Sequence, residues 1–301
     1  MLDIKDAKVA IPVVLIAGLL WSFGPYVVRH IDDAQQVPWQ YLFTRGIVIF
    51  IILNMFLYLE EGNQFIKNYT KIGISGLIGG VGLGIAMITF IYSITNTTAA
   101  VTLLCLAAMP FITALLGFLF LKEVISSNVW IAIAIASIGI LIMAFDNTSK
   151  NTFTGLVFGI ASSVGFSIFS VSLRWRKETP RFTTVAIAGL FCCFFSAVMI
   201  FMNDLSFLST GKNQALFATH GTLVCLGLIL YSIGSKNIPA AELTLLSLTE
   251  VIGGIFWVWI PILGINEIPG QGTVTGGFFI FISIIYYSLI IRSNRRFIGL
   301  N

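Results

Sequence analysis

Apolar runs of about twenty residues recur along this chain, separated by short charged clusters, and no other feature limits its folding as strongly. The hydrocarbon core of a bilayer is about 30 Å thick, so a spanning helix needs about 20 mostly apolar residues. Read on that basis, the runs predict helices over 9–29, 39–59, 72–95, 98–121, 128–145, 153–173, 182–202, 215–235, 240–263 and 271–291. Barrel strands would instead show about 10 residues of alternating character. Composition agrees, with 57% hydrophobic and 10% charged residues against roughly 25% charged in a soluble domain. The expected fold is an all-α integral membrane protein of ten transmembrane helices, with the lipid bilayer as its surroundings. The first run has no small-residue cleavage site and reads as a retained helix, not a signal peptide.

Lysine and arginine accumulate in cytoplasmic loops. With a cytoplasmic N-terminus, thirteen cations from Lys5 to Arg296 fall inside and only Arg29, Lys150 and Lys212 fall outside. Both termini are therefore expected in the cytoplasm. This distribution also accounts for the net charge of +4 without any nucleic-acid partner. One cation belongs to neither set, because Arg45 lies within the second run.

Several chemistries find no support. Cys105, Cys192, Cys193 and Cys225 all lie in apolar runs without CxxC or Cys/His spacing, as small apolar fillers do. His30 and His220 read as lying near loops and form no HExxH pattern, so no metal and no cofactor is expected. Gly76, Gly80 and Gly84 stand four apart on one helix face with no strand before them. That is the close-packing pattern of membrane helices, not a nucleotide loop.

The two halves are weakly self-similar. "LWSFGPYVVR" (Leu20 to Arg29) aligns with "GFSIFSVSLR" (Gly165 to Arg174), and "TLLCL" (Thr102 to Leu106) recurs as "TLLSL" (Thr244 to Leu248). Each half closes its fourth helix on a glutamate, Glu123 or Glu267. The expected units are 1–147 and 148–301. Five helices per unit is an odd number, so the second copy must be inverted in the membrane. Many secondary transporters share that architecture, with a substrate site near the midplane and alternating access.

At these same residues the chain resembles the EamA family of the drug/metabolite transporter superfamily. "WSFGPYVVR", "FTRG" with Arg45, and "AAMPFITALLGFLFLKEVIS" look like the first EamA repeat, and "LTEVIGGIFWVWIPILGINEIPG" looks like the second. The second copy has about three extra residues before Glu267, lacks a proline beside the helix-nine glutamate, and has no arginine matching Arg45. The resemblance implies ten helices with cytoplasmic termini in a bacterial inner membrane, and transport, often export, of amino acids or other small metabolites.

A charge at the centre of a bilayer costs about 2.5–3.5 kcal/mol on insertion scales, so intramembrane ionisable residues are functional candidates by default. Glu250 falls near mid-membrane in the ninth run, on a stripe with Glu242, Ser247, Gly254 and Trp257. Arg45 falls at similar depth. The two read either as a structural ion pair or as groups that meet substrate or a coupling ion, a proton or sodium. Trp21, Tyr92 and Trp257 with Glu250 would suit an ammonium group, and Arg45 a carboxylate. Asn96 and Ser167 extend the polar lining, although such residues more often form interhelical hydrogen bonds. The candidate substrate-binding set is Glu250, Trp257, Trp21, Tyr92, Arg45, Asn96, Ser247 and Ser167. The expected cargo is a small-molecule zwitterion such as an amino acid, with a quaternary amine or cationic drug as the alternative if Arg45 is engaged with protein. A membrane scaffold or receptor subunit is the alternative from another class. No clustered nucleophile, base or metal set suggests an enzyme.

Overall fold

A computed structural model describes residues 7–123, 126–146, 153–176, 178–268 and 270–297. The expected boundary between halves at 147/148 lies outside the described residues, as do Lys5, Lys150 and Lys177. The first part of the chain forms α1 (Ala7–Arg29), α2 (Pro38–Glu61), α3 (Ile66–Thr70), α4 (Gly73–Asn96), α5 (Ala99–Leu106), α6 (Met109–Leu116) and α7 (Ser127–Asp146). The second forms α8 (Phe153–Trp175), α9 (Arg181–Met202), α10 (Gly211–Gly234), α11 (Ala240–Ser247), α12 (Thr249–Trp259) and α13 (Gln271–Phe297). The described residues form helices and no strand. Eight helical segments among them are long and apolar enough to cross a membrane, and two shorter apolar stretches, Ser127–Gly139 and Val274–Tyr287, accompany these. Large apolar side chains such as Ile51, Met55, Phe194 and Phe201 stay exposed on the outside, as they must where the solvent is lipid.

Two expected helices are broken. The run 98–121 is α5 and α6, parted at Ala107 and Ala108, followed by a π turn over Gly117–Leu121. Pro110 contributes to the break, since it has no N–H to give the Leu106 carbonyl. The run 240–263 is α11 and α12, parted at Leu248, followed by a 3-10 turn over Pro261–Leu263. No proline stands at the second break. There the Leu248 N–H reaches back three residues to Leu245, at 3.2 Å, and the Thr249 hydroxyl contacts Leu246 O at 3.2 Å and Leu15 O at 3.3 Å.

Helix contacts come in matched pairs. Helix α4 packs on α8 and α10 on α1; α4 packs on α9 and α10 on α2; α6 meets α11 and α5 meets α12; α2 packs on α9 and α7 on α13. Without a hydrophobic driving force between helices in lipid, small residues set these approaches. A Cβ on Gly46 would lie 2.7 Å from both Gly189 O and Cys193 N, and one on Gly165 would lie 2.5 Å from Gly82 O. The Gly76, Gly80 and Gly84 row packs against Thr184, Ile187, Ala188 and Phe191 of α9.

Ionic ties at the helix connections are matched in the same way. Arg29 Nε donates to Glu267 Oε1 at 2.5 Å, while its other nitrogens donate to Ile94 O (2.8 Å) and Thr97 O (2.9 Å). Glu267 Oε2 accepts from Ala99 N at 3.3 Å. Arg174 Nε donates to Glu123 Oε1 at 2.6 Å, and its NH1 donates to Ser235 O (3.0 Å) and Ile238 O (2.8 Å). Glu123 Oε2 accepts from Ala240 N at 3.3 Å. In each set the arginine covers carbonyls at or just beyond a helix C-terminus, where a cation is favoured, and the glutamate meets the first amide of the next helix, where an anion is favoured. The extra residues before Glu267 are absorbed by the 3-10 turn, with Gly264 at φ +82° and Glu267 N donating to Val258 O at 2.9 Å.

The glycine contacts give a direct test. Gly46→Ala should destabilise the purified protein by about 1–3 kcal/mol, because a methyl group there meets backbone that cannot move aside. Gly277→Ala, with no atom within 4 Å of the added carbon, should not. Equal thermal unfolding midpoints for the two in detergent would show that α2 and α9 do not approach as described.

Candidate functional site

The site is built where the glycine contacts bring polar side chains inward. Gly46 lets α2 press against α9, and Gly221 brings α10 to within 3.3 Å of the Arg45 Cα, measured from a Cβ built on the glycine. Arg45 therefore has its backbone locked between two helices while its side chain borders a central cavity. Trp21 enters the same cavity from α1, with Nε1 donating to Val224 O at 3.2 Å. The indole fits only because residue 227 is glycine, since a Cβ there would lie 2.2 Å from Trp21 Nε1. Glu250 enters from the first turn of α12, just past the break at Leu248.

The cavity measures about 60 Å³, and Leu83, Ala86, Met87, Phe90, Met109, Ser162, Phe166, His220 and Val224 complete most of its wall. It is mainly apolar and aromatic. Trp21 meets Phe166 edge-on at 5.5 Å, and Tyr231 packs behind both. One guanidinium and one carboxyl group face this lining. Arg45 is 5% exposed and Glu250 9%, yet neither is in an ion pair with another described residue, as Arg29 is with Glu267, Arg174 with Glu123 and Lys212 with Asp32. Arg45 Nε and NH1 are buried without any hydrogen-bond partner. Arg45 and Glu250 thus share a cavity without forming a direct salt bridge. A buried donor left without a partner costs about 1–3 kcal/mol, more for a charged group.

Of the residues singled out from sequence, the fold brings Trp21, Arg45 and Glu250 together on the cavity. The other five lie elsewhere. Trp257 donates from Nε1 to Ser22 Oγ at 2.8 Å and stacks on Phe23 at 4.5 Å, bracing α12 on α1. Tyr92 packs between Trp39 and Phe158, and the exposed Asn96 donates to Tyr92 O at 2.7 Å. Ser247 donates to Thr244 O, and Ser167 to Ser163 O and Met109 O, as interhelical or intrahelical bonds. The proposed Glu242–Trp257 stripe divides among three neighbours, because Glu242 accepts from Tyr287 of α13, Glu250 borders the cavity and Trp257 faces α1.

Sequence reasoning missed His220. The polar start "GKNQ" made the eighth run seem to begin at 215, leaving His220 near a loop. Instead Thr210 caps α10, its hydroxyl accepting from Asn213 N at 3.3 Å, so His220 lies well inside the helix. The apolar wall residues carried no signal that separates a cavity from a core.

Comparisons with known proteins bear on the fold and on the family it resembles. Residues 8–145 match the EamA-like transporter family. An uncharacterized transporter of Helicobacter pylori strain J99 is 24% identical over 257 residues, covering 82% of this chain and 84% of that protein. The uncharacterized transporter YojE of Bacillus subtilis strain 168 is 21% identical over 258 residues, covering 80% and 81%. A solved crystal structure superposes with a TM-score of 0.68 at 17% identity, covering 95% of this chain and 98% of that one, so the overall fold is shared.

An unpaired buried cation makes a testable demand on stability. Arg45→Met, which keeps volume and removes the charge, should raise the unfolding midpoint of the ligand-free protein, by the equivalent of about 1 kcal/mol or more. A clear fall in the midpoint would mean that the guanidinium is satisfied within the protein.

Proposed function

We infer that this chain, with residues 8–145 matching the EamA-like transporter family, is a secondary transporter for a small zwitterion. The lining matches the chemistry of an amino acid with an apolar side chain, and the cavity of about 60 Å³ must widen to hold one. The observation that carries this reading is the pairing, on one buried aromatic cavity, of a carboxyl group with a guanidinium whose Nε and NH1 have no acceptor. A zwitterion supplies both missing partners. Its carboxylate takes the Arg45 N–H groups in the forked geometry that guanidinium favours, its ammonium turns to Glu250, and its side chain lies against Trp21, Phe90 and Phe166. A quaternary amine would leave Arg45 unsatisfied. A scaffold or receptor subunit would gain nothing from an unpaired charge at this depth. The transporter names of the relatives and the family match favour transport over catalysis.

The movement we envisage is alternating access by two inverted five-helix halves. The matched helix contacts support it, as do the matched ties Arg29–Glu267 and Arg174–Glu123. By the distribution of lysine and arginine, the Arg29 tie lies at the extracellular end and the Arg174 tie at the cytoplasmic end, with both termini cytoplasmic. Each tie joins one half to the other, and both are formed in this structure. Opening one at a time exposes the cavity to one side.

Two measurements test these readings. In proteoliposomes, uptake of apolar L-amino acids should fall at least tenfold in Arg45→Ala and in Glu250→Gln, each shown to be folded; unchanged flux in both would remove the zwitterion site. With a cysteine placed at Met87 in an otherwise cysteine-free chain, Arg29→Ala should increase labelling from the extracellular side and Arg174→Ala from the cytoplasmic side. Identical labelling patterns in the two variants would count against alternating access through these ties.

A further inference from the structure

On the same cavity wall as Arg45 stands His220, which with its buried partner Tyr41 forms a pair that the zwitterion reading has not used. His220 is 1% exposed, and its Nδ1 is hydrogen-bonded to the hydroxyl of Tyr41, itself 1% exposed. Tyr41 precedes Arg45 by one turn of α2, and its ring stacks on Phe217, three residues before His220 on α10. Arg45 of α2 and His220 of α10 thus line the cavity, and the preceding turns of the same two helices, carrying Tyr41 and Phe217, pack against each other behind them.

The proton on this pair can be placed by counting partners. Among the described residues the Tyr41 hydroxyl has only one hydrogen-bond partner, His220 Nδ1. If Nδ1 carried the proton, the buried Tyr41 O–H would have no acceptor, at the cost of an unmade hydrogen bond. Tyr41 therefore donates to Nδ1, and the neutral imidazole carries its proton on Nε2. That nitrogen has no protein acceptor among the described residues. It is accommodated at α1 by Gly24, where an added Cβ would lie 2.9 Å from Nε2. Arg45, with Nε and NH1 unpartnered, and His220, with Nε2 unpartnered among the described residues, thus both belong to the wall of one cavity, where Glu250 is the one acidic residue among the described lining.

We propose that His220, held in its Nε2–H tautomer by Tyr41, forms an anion-binding corner with Arg45 and selects the carboxylate of the transported zwitterion. Arg45 supplies the charge and His220 supplies direction, as a neutral donor whose orientation is fixed. Tyr41 is a positioning residue that acts through His220. The proposal rests on the zwitterion reading and adds to it a second donor for the same carboxylate.

The test uses the full-length protein in nanodiscs, with L-phenylalanine and L-phenylalanine amide as probes that differ only in the carboxylate. The wild type should bind the amino acid more tightly than the amide. Tyr41→Phe and His220→Leu should each weaken L-phenylalanine binding roughly tenfold, the scale of one lost hydrogen bond to a charged group, and leave amide binding unchanged. His220→Gln, which can place an N–H near the Nε2 position, should recover part of the loss. Gly24→Ala, which crowds Nε2, should resemble His220→Leu. Because His220→Leu could fail to fold, ¹⁵N-imidazole NMR of the wild type gives a second measure. The chain has two histidines, so His30→Gln assigns the spectrum. The His220 ring should show a protonated Nε2 and a bare Nδ1, and L-phenylalanine should shift the Nε2 resonance. A proton on Nδ1, or equal losses for amino acid and amide in the variants, overturns the proposal. If Arg45→Ala abolishes binding while Tyr41→Phe and every His220 variant retain it, the proposal fails and the zwitterion reading stands. If the wild type binds the amide and not the amino acid, both fail.

Discussion

A backbone that turns back on itself at the edge of a bilayer leaves carbonyl and amide groups without water, and each must find a partner within the protein. In this molecule two arginine–glutamate pairs meet that requirement. Arg29 covers the carbonyls of Ile94 and Thr97 while Glu267 meets the amide of Ala99, and Arg174 and Glu123 do the same for Ser235, Ile238 and Ala240. The connections from α4 to α5 and from α10 to α11 can be short because the cations and anions that satisfy them arrive from elsewhere in the sequence. The broken helices depend on this arrangement, since α5 and α11 start at those amides and lead directly into the cavity wall.

The scaffold is nearly symmetric and the chemistry is not. Gly46 and Gly189 face each other across the α2–α9 contact, yet the residue before one is Arg45 and the residue before the other is the fully buried Ala188. Glu250 on α12 likewise has no acidic counterpart on the cavity wall. Paired helix packing thus fixes the shape, while single substitutions on it supply one cation and one carboxyl group. A cavity polar at one edge and aromatic elsewhere can orient an unsymmetrical ligand, which a fully two-fold site could not do.

Much of the scaffold was legible in the sequence because the membrane imposes long-range order on local composition. Run length marked the helical segments though not the two breaks, four-residue glycine spacing marked a close-packing face of α4, and the glutamates closing each fourth helix marked the ends that the arginines tie. The site was less legible. Helical periodicity placed Trp257 and Glu242 on the Glu250 stripe, but the turn at Leu248 and the packing of α1 and α13 divide them among different neighbours. His220 was hidden by a polar N-terminal turn that reads as loop until Thr210 is seen to cap it. Whether an apolar side chain such as Met87 or Phe90 borders a cavity or fills a core depends on where three or four helices meet, which no single helix records.

The geometry of the two ties also bears on how fast the molecule can work. Each arginine makes three hydrogen bonds, and the two to backbone carbonyls stay within its own half of the chain while only the one to glutamate crosses to the other. On the proposed movement, separating the halves at either end ruptures the arginine–glutamate contact and the glutamate's bond to the Ala99 or Ala240 amide, while the arginine stays moored to the carbonyls it covers. Partly solvated contacts of this kind are weak compared with the packing around them, so the ties act more like snap fasteners than welds, specifying a closed position without adding much to the barrier for leaving it.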